Sequence, residues 1–114
     1  SGGSGSTPSY VAGSTVSRAY QCLDKPYKSG AVGPDAFDCS GLVGFCLTGQ
    51  YKRSYVSGSF LGMPRVENPQ PGDICVKPGH VGVYIGGGRM IHAPRTGDVV
   101  KVATVPDSMW YVRP

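Results

Sequence analysis

Cys39, His80 and His92 are the residues of this chain whose types and spacing point most directly to chemistry. Cys39 follows Asp38 and opens the apolar run CSGLVGFCL, which reads as a short buried helix closed by Gly49. A cysteine at a helix start faces unsatisfied backbone N–H groups and the positive end of the helix dipole, both of which favour a thiolate. His80 opens the strand-like run HVGVYIG, and His92 lies in the next, RMIHA. These are the only two histidines in the chain. Side chains alternate along a strand, so the two rings share a face only if the intervening turn has an odd count or a bulge. A three-residue loop at Gly86 to Gly88 places His92 opposite Gly82, one diagonal step from His80, about 7–8 Å at the backbone. That is within reach of a ring-to-ring hydrogen bond. The arrangement suits nucleophilic attack on an amide carbonyl: Cys39 attacks, His80 takes and returns the proton, and His92 orients His80. The backbone N–H groups at the helix start are candidates for holding the oxyanion.

The elements that must position these residues are legible in outline. Val16, Ala19, Tyr20 and Leu23 fall on one face of a helix running from Ser14, its cap, to Leu23, with Lys25-Pro26 beyond it. Residues 27–37 form a loop, and residues 51–71 show no period. From Gly72 onward the apolar period becomes two, predicting strands over 73–77, 80–85, 89–93, 99–105 and 110–112. Helices followed by an antiparallel sheet of about five strands make an α+β domain. The 114 residues are enough for one domain, over 10–114. The first nine, SGGSGSTPS, lack apolar residues and read as a linker or cloning scar.

Several other chemistries find little support. The chain has no C-x-x-C or H-x-x-x-H pair to suggest a zinc site, no G-x-S-x-G elbow and no phosphate-binding loop. No cofactor or metal is expected. The net charge of +4 is carried by scattered Lys and Arg, unlike the clustered footprint of nucleic-acid binding. No run is long enough for a membrane helix. Cys39 and Cys46 lie roughly 10.5 Å apart along a helix, too far to be bridged. Cys22 and Cys46 are close enough on packed helices to allow a disulfide, with buried free thiols the default.

In order along the chain, PYKSG…FDCSGLVGFC, QPGDICV and GHVGVYIGGGRMIHA resemble the NlpC/P60 family of bacterial cell-wall cysteine peptidases. The resemblance implies a circularly permuted papain-like fold, with helices packed on the sheet, and Cys39, His80 and His92 as catalytic residues. It also implies Tyr27, Asp38 and Ser40 as substrate-binding residues, and peptidoglycan stem peptides cut between D-γ-glutamyl and a diamino acid as the substrate. A secreted or wall-associated monomer follows from the same resemblance. Where the family usually has Trp-Gly-Gly, this chain has Ser29-Gly30-Ala31, so one wall of the groove lacks its large aromatic. A non-catalytic wall-binding module and a thiol amidase or acyltransferase are the competing expectations.

Overall fold

The computed structural model describes residues 12–114, so the expected linker at residues 1–9 lies outside the described residues. Helix α1 spans Thr15–Gln21. Ser14 caps it by accepting from Ser17 N, while the Ser17 hydroxyl accepts from Ser14 N. Helix α2 spans Cys39–Thr48, capped by Asp38 and closed by Gly49 at φ 76°, a left-handed conformation that glycine adopts without penalty. Both helices stand where the apolar spacing put them, within a few residues at the ends. From Ser40 to Cys46 α2 is buried on all sides, as expected for a central helix lying between α1 and the sheet. The Arg18 guanidinium donates to the Cys46 carbonyl at 2.7 Å and ties the helices together.

The strands are β1 (Ile74–Lys77), β2 (His80–Gly86), β3 (Arg89–His92), β4 (Lys101–Thr104) and β5 (Trp110–Val112). They form one antiparallel sheet in the order β4-β3-β2-β1-β5, completing the expected α+β layout. Alternation divides the sheet into two faces. Val81, Val83 and Ile91 pack toward Leu42, Val43 and Phe45 of α2 in the main core. Cys75, Tyr84, Met90 and Met109 form a second, smaller cluster. The bidentate pair of Arg113 with buried Asp73, at 2.8 Å for each contact, links the C-terminal end of the chain to the start of β1. Among the described residues, no helix is long and apolar enough to cross a membrane.

The β2–β3 turn differs from the expected three-residue loop. Gly86 pairs with Arg89, so Gly87 and Gly88 make the turn, and the extra residue is taken up by a bulge between Tyr84 and Gly86. All three glycines have φ between 65° and 94°, which a side chain would resist. Because the bulge supplies the odd count, Val83 still faces Ile91 and Gly82 lies beside His92.

Residues 51–71, without a sequence period, are anchored by aromatic contacts. Tyr51 stacks on Phe45 with centroids 4.6 Å apart. Tyr55 stacks on fully buried Phe60, at the end of a 3-10 turn over Ser57–Phe60. This is how Arg53 is carried to the α2 N-terminus. The four cysteines are free thiols, including the buried Cys22 and Cys46 pair.

The first turn of α2 sets a sharp constraint at Gly41. A Cβ there would run into the Ala31 carbonyl and approach Asp38 Oδ1 at 2.9 Å. Gly41→Ala is therefore expected to destabilise the domain by about 1–3 kcal/mol. Thermal unfolding of the purified variant checks this, and an unchanged Tm would contradict the packing described.

Candidate functional site

Strand β3 stops at His92, and α2, which begins at Cys39, packs against β2, which begins at His80. The backbone N–H of Val81, the residue after His80, lies beside the Cys39 sulfur. His80 and His92 meet directly: His80 Nε2 and His92 Nδ1 are 2.8 Å apart, with the rings nearly perpendicular. Gly82 keeps this space open, since a Cβ there would meet Met90 Sδ at 2.8 Å and His92 Cβ at 3.1 Å. The two histidines are thus in direct contact, and Cys39 lies against the backbone of the residue that follows His80.

The protonation states follow from the surroundings. Burial lowers the His92 pKa to about 4, helped by the charges of His80 and Lys101, so this ring is neutral at physiological pH. Lys101 is the residue paired with His92 across β3 and β4. Burial also lowers the His80 pKa from its ordinary value, and the Lys77 charge across the β1–β2 ladder adds to the effect. The contact engages Nε2 of His80 and leaves Nδ1 outside it. The outer nitrogen of His92, Nε2, is buried and has no hydrogen-bond partner among the described residues.

Cys39 is subject to opposing effects. Burial pushes its thiol up and the Asp38 carboxylate adds to the rise, while the backbone N–H groups of Val81, Ser40 and Cys39 pull it down. Burial wins, and the pKa lies above the ordinary 9.0. The His80 shift is downward as well, so burial disfavours the charged form of each group.

Asp38 is part of a larger knot than the sequence reveals. Its Oδ1 accepts from Gly41 N at 2.6 Å and its Oδ2 from Gly30 N at 3.0 Å. The Arg53 guanidinium spans both oxygens, Nη1 to Oδ1 at 3.0 Å and Nη2 to Oδ2 at 2.8 Å. Arg53 Nη1 also donates to Ser40 Oγ at 2.6 Å, and the Ser40 hydroxyl donates to Asp38 Oδ1 at 3.4 Å. Burial pushes the Asp38 carboxyl up, but Arg53 and the two glycine N–H groups outweigh it and hold it below the usual carboxylate range. Arg53 did not emerge from the sequence. The available signal was that a buried carboxylate needs a cation, but nothing in the spacing says which one.

Tyr27 is held by short bridges, its N–H donating to Asp98 O at 2.9 Å and its backbone bridging Phe37. Burial raises its pKa, as do the nearby charges of Cys39 and Asp38, so the phenol keeps its proton as a donor. Among the described residues, no three His, Cys, Asp or Glu side chains stand together as metal ligands would. A separate concavity lined by Ser14–Val16, Gln70–Asp73 and Arg113 touches none of these candidate residues.

Labelling tests the protonation state. Reaction of Cys39 with iodoacetamide, followed by peptide mapping, should accelerate with pH through 9 and beyond, because a raised pKa leaves little thiolate at neutrality. A rate plateau reached below pH 7 would instead reveal a standing ion pair.

Comparison with known proteins places this geometry in a family. The chain is 32% identical over 106 residues to the probable peptidoglycan endopeptidase LytE of Bacillus subtilis, covering 86% of this chain and 31% of that protein. It is 36% identical over 100 residues to the probable endopeptidase p60 of Listeria grayi, covering 77% and 19%. The chain therefore spans about a third or less of these relatives. The crystal structure of the NlpC/p60 domain of the peptidoglycan hydrolase SagA superposes with a TM-score of 0.71 at 31% identity, covering 89% of this chain and 97% of that one. The peptidoglycan hydrolase RipB of Mycobacterium tuberculosis gives 0.71 at 26% identity, covering 87% and 62%. These matches bear out the papain-like α+β fold. The family model described as NlpC/P60 matches residues 24–113, a stretch that takes in Tyr27, Cys39, Arg53, both histidines and all five strands, and the chain belongs to that family.

Proposed function

We propose that this domain is a cysteine endopeptidase that hydrolyses D-γ-glutamyl–diamino acid bonds in peptidoglycan stem peptides, with Cys39, His80 and His92 as its catalytic residues. The observation that carries the reading is the 2.8 Å contact between His80 Nε2 and His92 Nδ1 at the sheet end beside Cys39. A hydrogen-bonded pair of rings, one held neutral, is what a thiol needs from its base and the base from its support. The relatives support the substrate class, and one matched Bacillus subtilis protein is named gamma-D-glutamyl-L-lysine dipeptidyl-peptidase. Peptidoglycan lies outside the membrane, so this reading places the domain in a secreted or wall-associated protein.

In this mechanism His80 Nε2–H donates to His92 Nδ1, leaving His80 Nδ1 bare to take the Cys39 proton as sulfur attacks the γ-carbonyl. The oxyanion forms at the α2 N-terminus, against the backbone N–H groups of Cys39 and Ser40. The imidazolium of His80 then protonates the leaving amine of the diamino acid. Water, deprotonated by the same nitrogen, releases the glutamyl acid and restores the thiol. Tyr27 donates its phenol to the bound peptide, and Asp38 and Ser40 shape the groove through Arg53. Because five donors already surround the Asp38 carboxylate, a free α-ammonium finds no strong acceptor there. Stem peptides still attached to sugar are therefore accepted along with free ones.

Digestion of defined muropeptides, with and without the muramyl sugar, followed by mass spectrometry tests this reading. Products cut after D-glutamate, at comparable kcat/KM for both substrates, are expected. Cys39→Ala should abolish turnover while the domain stays folded. His80→Ala should fall nearly as far, because both proton transfers pass through it and such transfers are worth about 10²–10⁴-fold. His92→Asn should lose less than His92→Ala, since an amide oxygen still accepts the orienting bond. Release of the sugar alone would indicate an amidase, and no cleavage by a folded protein would indicate a binding module.

A further inference from the structure

Outside the catalytic centre, two further thiols meet in the core. Cys22 closes α1 as its C-cap, and Cys46 lies near the end of α2. Both belong to the main core cluster, at 3% and 0% exposure. Arg18 and Cys22 stand four residues apart and so share one face of α1. Arg18 donates to the Cys46 carbonyl at 2.7 Å, which turns that face toward Cys46. The two thiols are in hydrogen-bond contact there. The remaining cysteines are placed elsewhere. Cys75 faces the second cluster of the sheet. Cys39 lies against the backbone of β2, about two helical turns or roughly 10.5 Å from Cys46.

We infer that Cys22 and Cys46 are a covalent modification site, joined as a disulfide by exchange with a disulfide-bearing oxidant such as oxidised glutathione or an oxidised dithiol protein. The inference goes beyond the peptidase reading and does not depend on it. The structure holds the reduced form. In the exchange two S–H bonds break and one S–S bond forms. Two electrons and two protons pass to the oxidant, whose disulfide becomes two thiols. Sulfurs already in contact are placed for this bond, which cysteines with Cα atoms more than about 7 Å apart cannot make. Burial pushes the Cys46 thiol well up, and its Cys22 neighbour adds to the rise. Exchange needs a thiolate, so the bond forms while the helices are docking and is shielded once they have packed. It staples α1 to the helix that carries Cys39 and leaves Cys39 itself free. By limiting the freedom of the unfolded chain between its two ends, such a cross-link stabilises the fold.

The test refolds the fully reduced chain in a glutathione buffer containing the oxidised form, removes the buffer, and alkylates the denatured protein. Peptide mapping should find Cys22 joined to Cys46, with Cys39 and Cys75 in no bond within the chain. The linked protein should melt on the order of 10 °C above the same protein kept in dithiothreitol. In Cys22→Ala and in Cys46→Ala that difference should vanish. The wild-type map and the wild-type pair of melting curves decide the matter if neither variant folds. Recovery of Cys22 and Cys46 without a bond between them would overturn the inference, as would a bond within the chain that includes Cys39 or Cys75. Equal Tm for the linked and reduced wild-type protein, or a difference that persists in the variants, would also overturn it.

Discussion

One hydrogen bond, between His80 Nε2 and His92 Nδ1, determines how the rest of the site can work. Two neutral imidazoles share one proton across 2.8 Å, so only one of the facing nitrogens carries it. If His80 donates, its Nδ1 is bare and can accept the thiol proton; if His92 donates, it cannot. Burial keeps His92 neutral and able to accept. The bond also depends on the bulge after Tyr84, because without it β3 would slip by one residue and turn His92 to the opposite face. A glycine-rich turn far from the sulfur thus fixes which face His92 presents.

The second organising device is Asp38, which serves three purposes at once. It caps α2 and so fixes the helix start on which Cys39 sits. It anchors the 27–37 loop through Gly30. It also orients Arg53, and through it the Ser40 hydroxyl. Its charge opposes thiolate formation, while Arg53 pairs with the same carboxylate at 2.8 Å. The site thus combines a densely hydrogen-bonded frame with a thiol whose pKa burial holds above its ordinary value. In a buried setting this limits adventitious oxidation and alkylation, which require the thiolate.

The residues differ in how far the sequence revealed them. Both helices were legible because their caps are local: Ser14 and Asp38 precede apolar runs of helical period. The strands were legible because turn residues punctuate a period of two. The proximity of the histidines followed from parity along β2 and β3, although a bulge and a two-residue turn replaced the expected longer loop. Arg53 was hidden because its partner lies across the fold. The segment carrying it is held by Phe60 and Tyr51 packing rather than by any repeating pattern. The protonation of Cys39 was hidden for a related reason: the helix start favours a thiolate, and only the degree of burial shows that this pull is outweighed.

The claim on which the account turns is the direction of the histidine–histidine bond, and ¹⁵N NMR of the histidine rings measures it directly. In the resting protein near neutral pH, the account predicts both rings neutral, with the proton of His92 on Nε2 and that of His80 on Nε2, directed at His92 Nδ1. A His92 ring protonated at Nδ1, or a His80 ring already doubly protonated at pH 7, would contradict it.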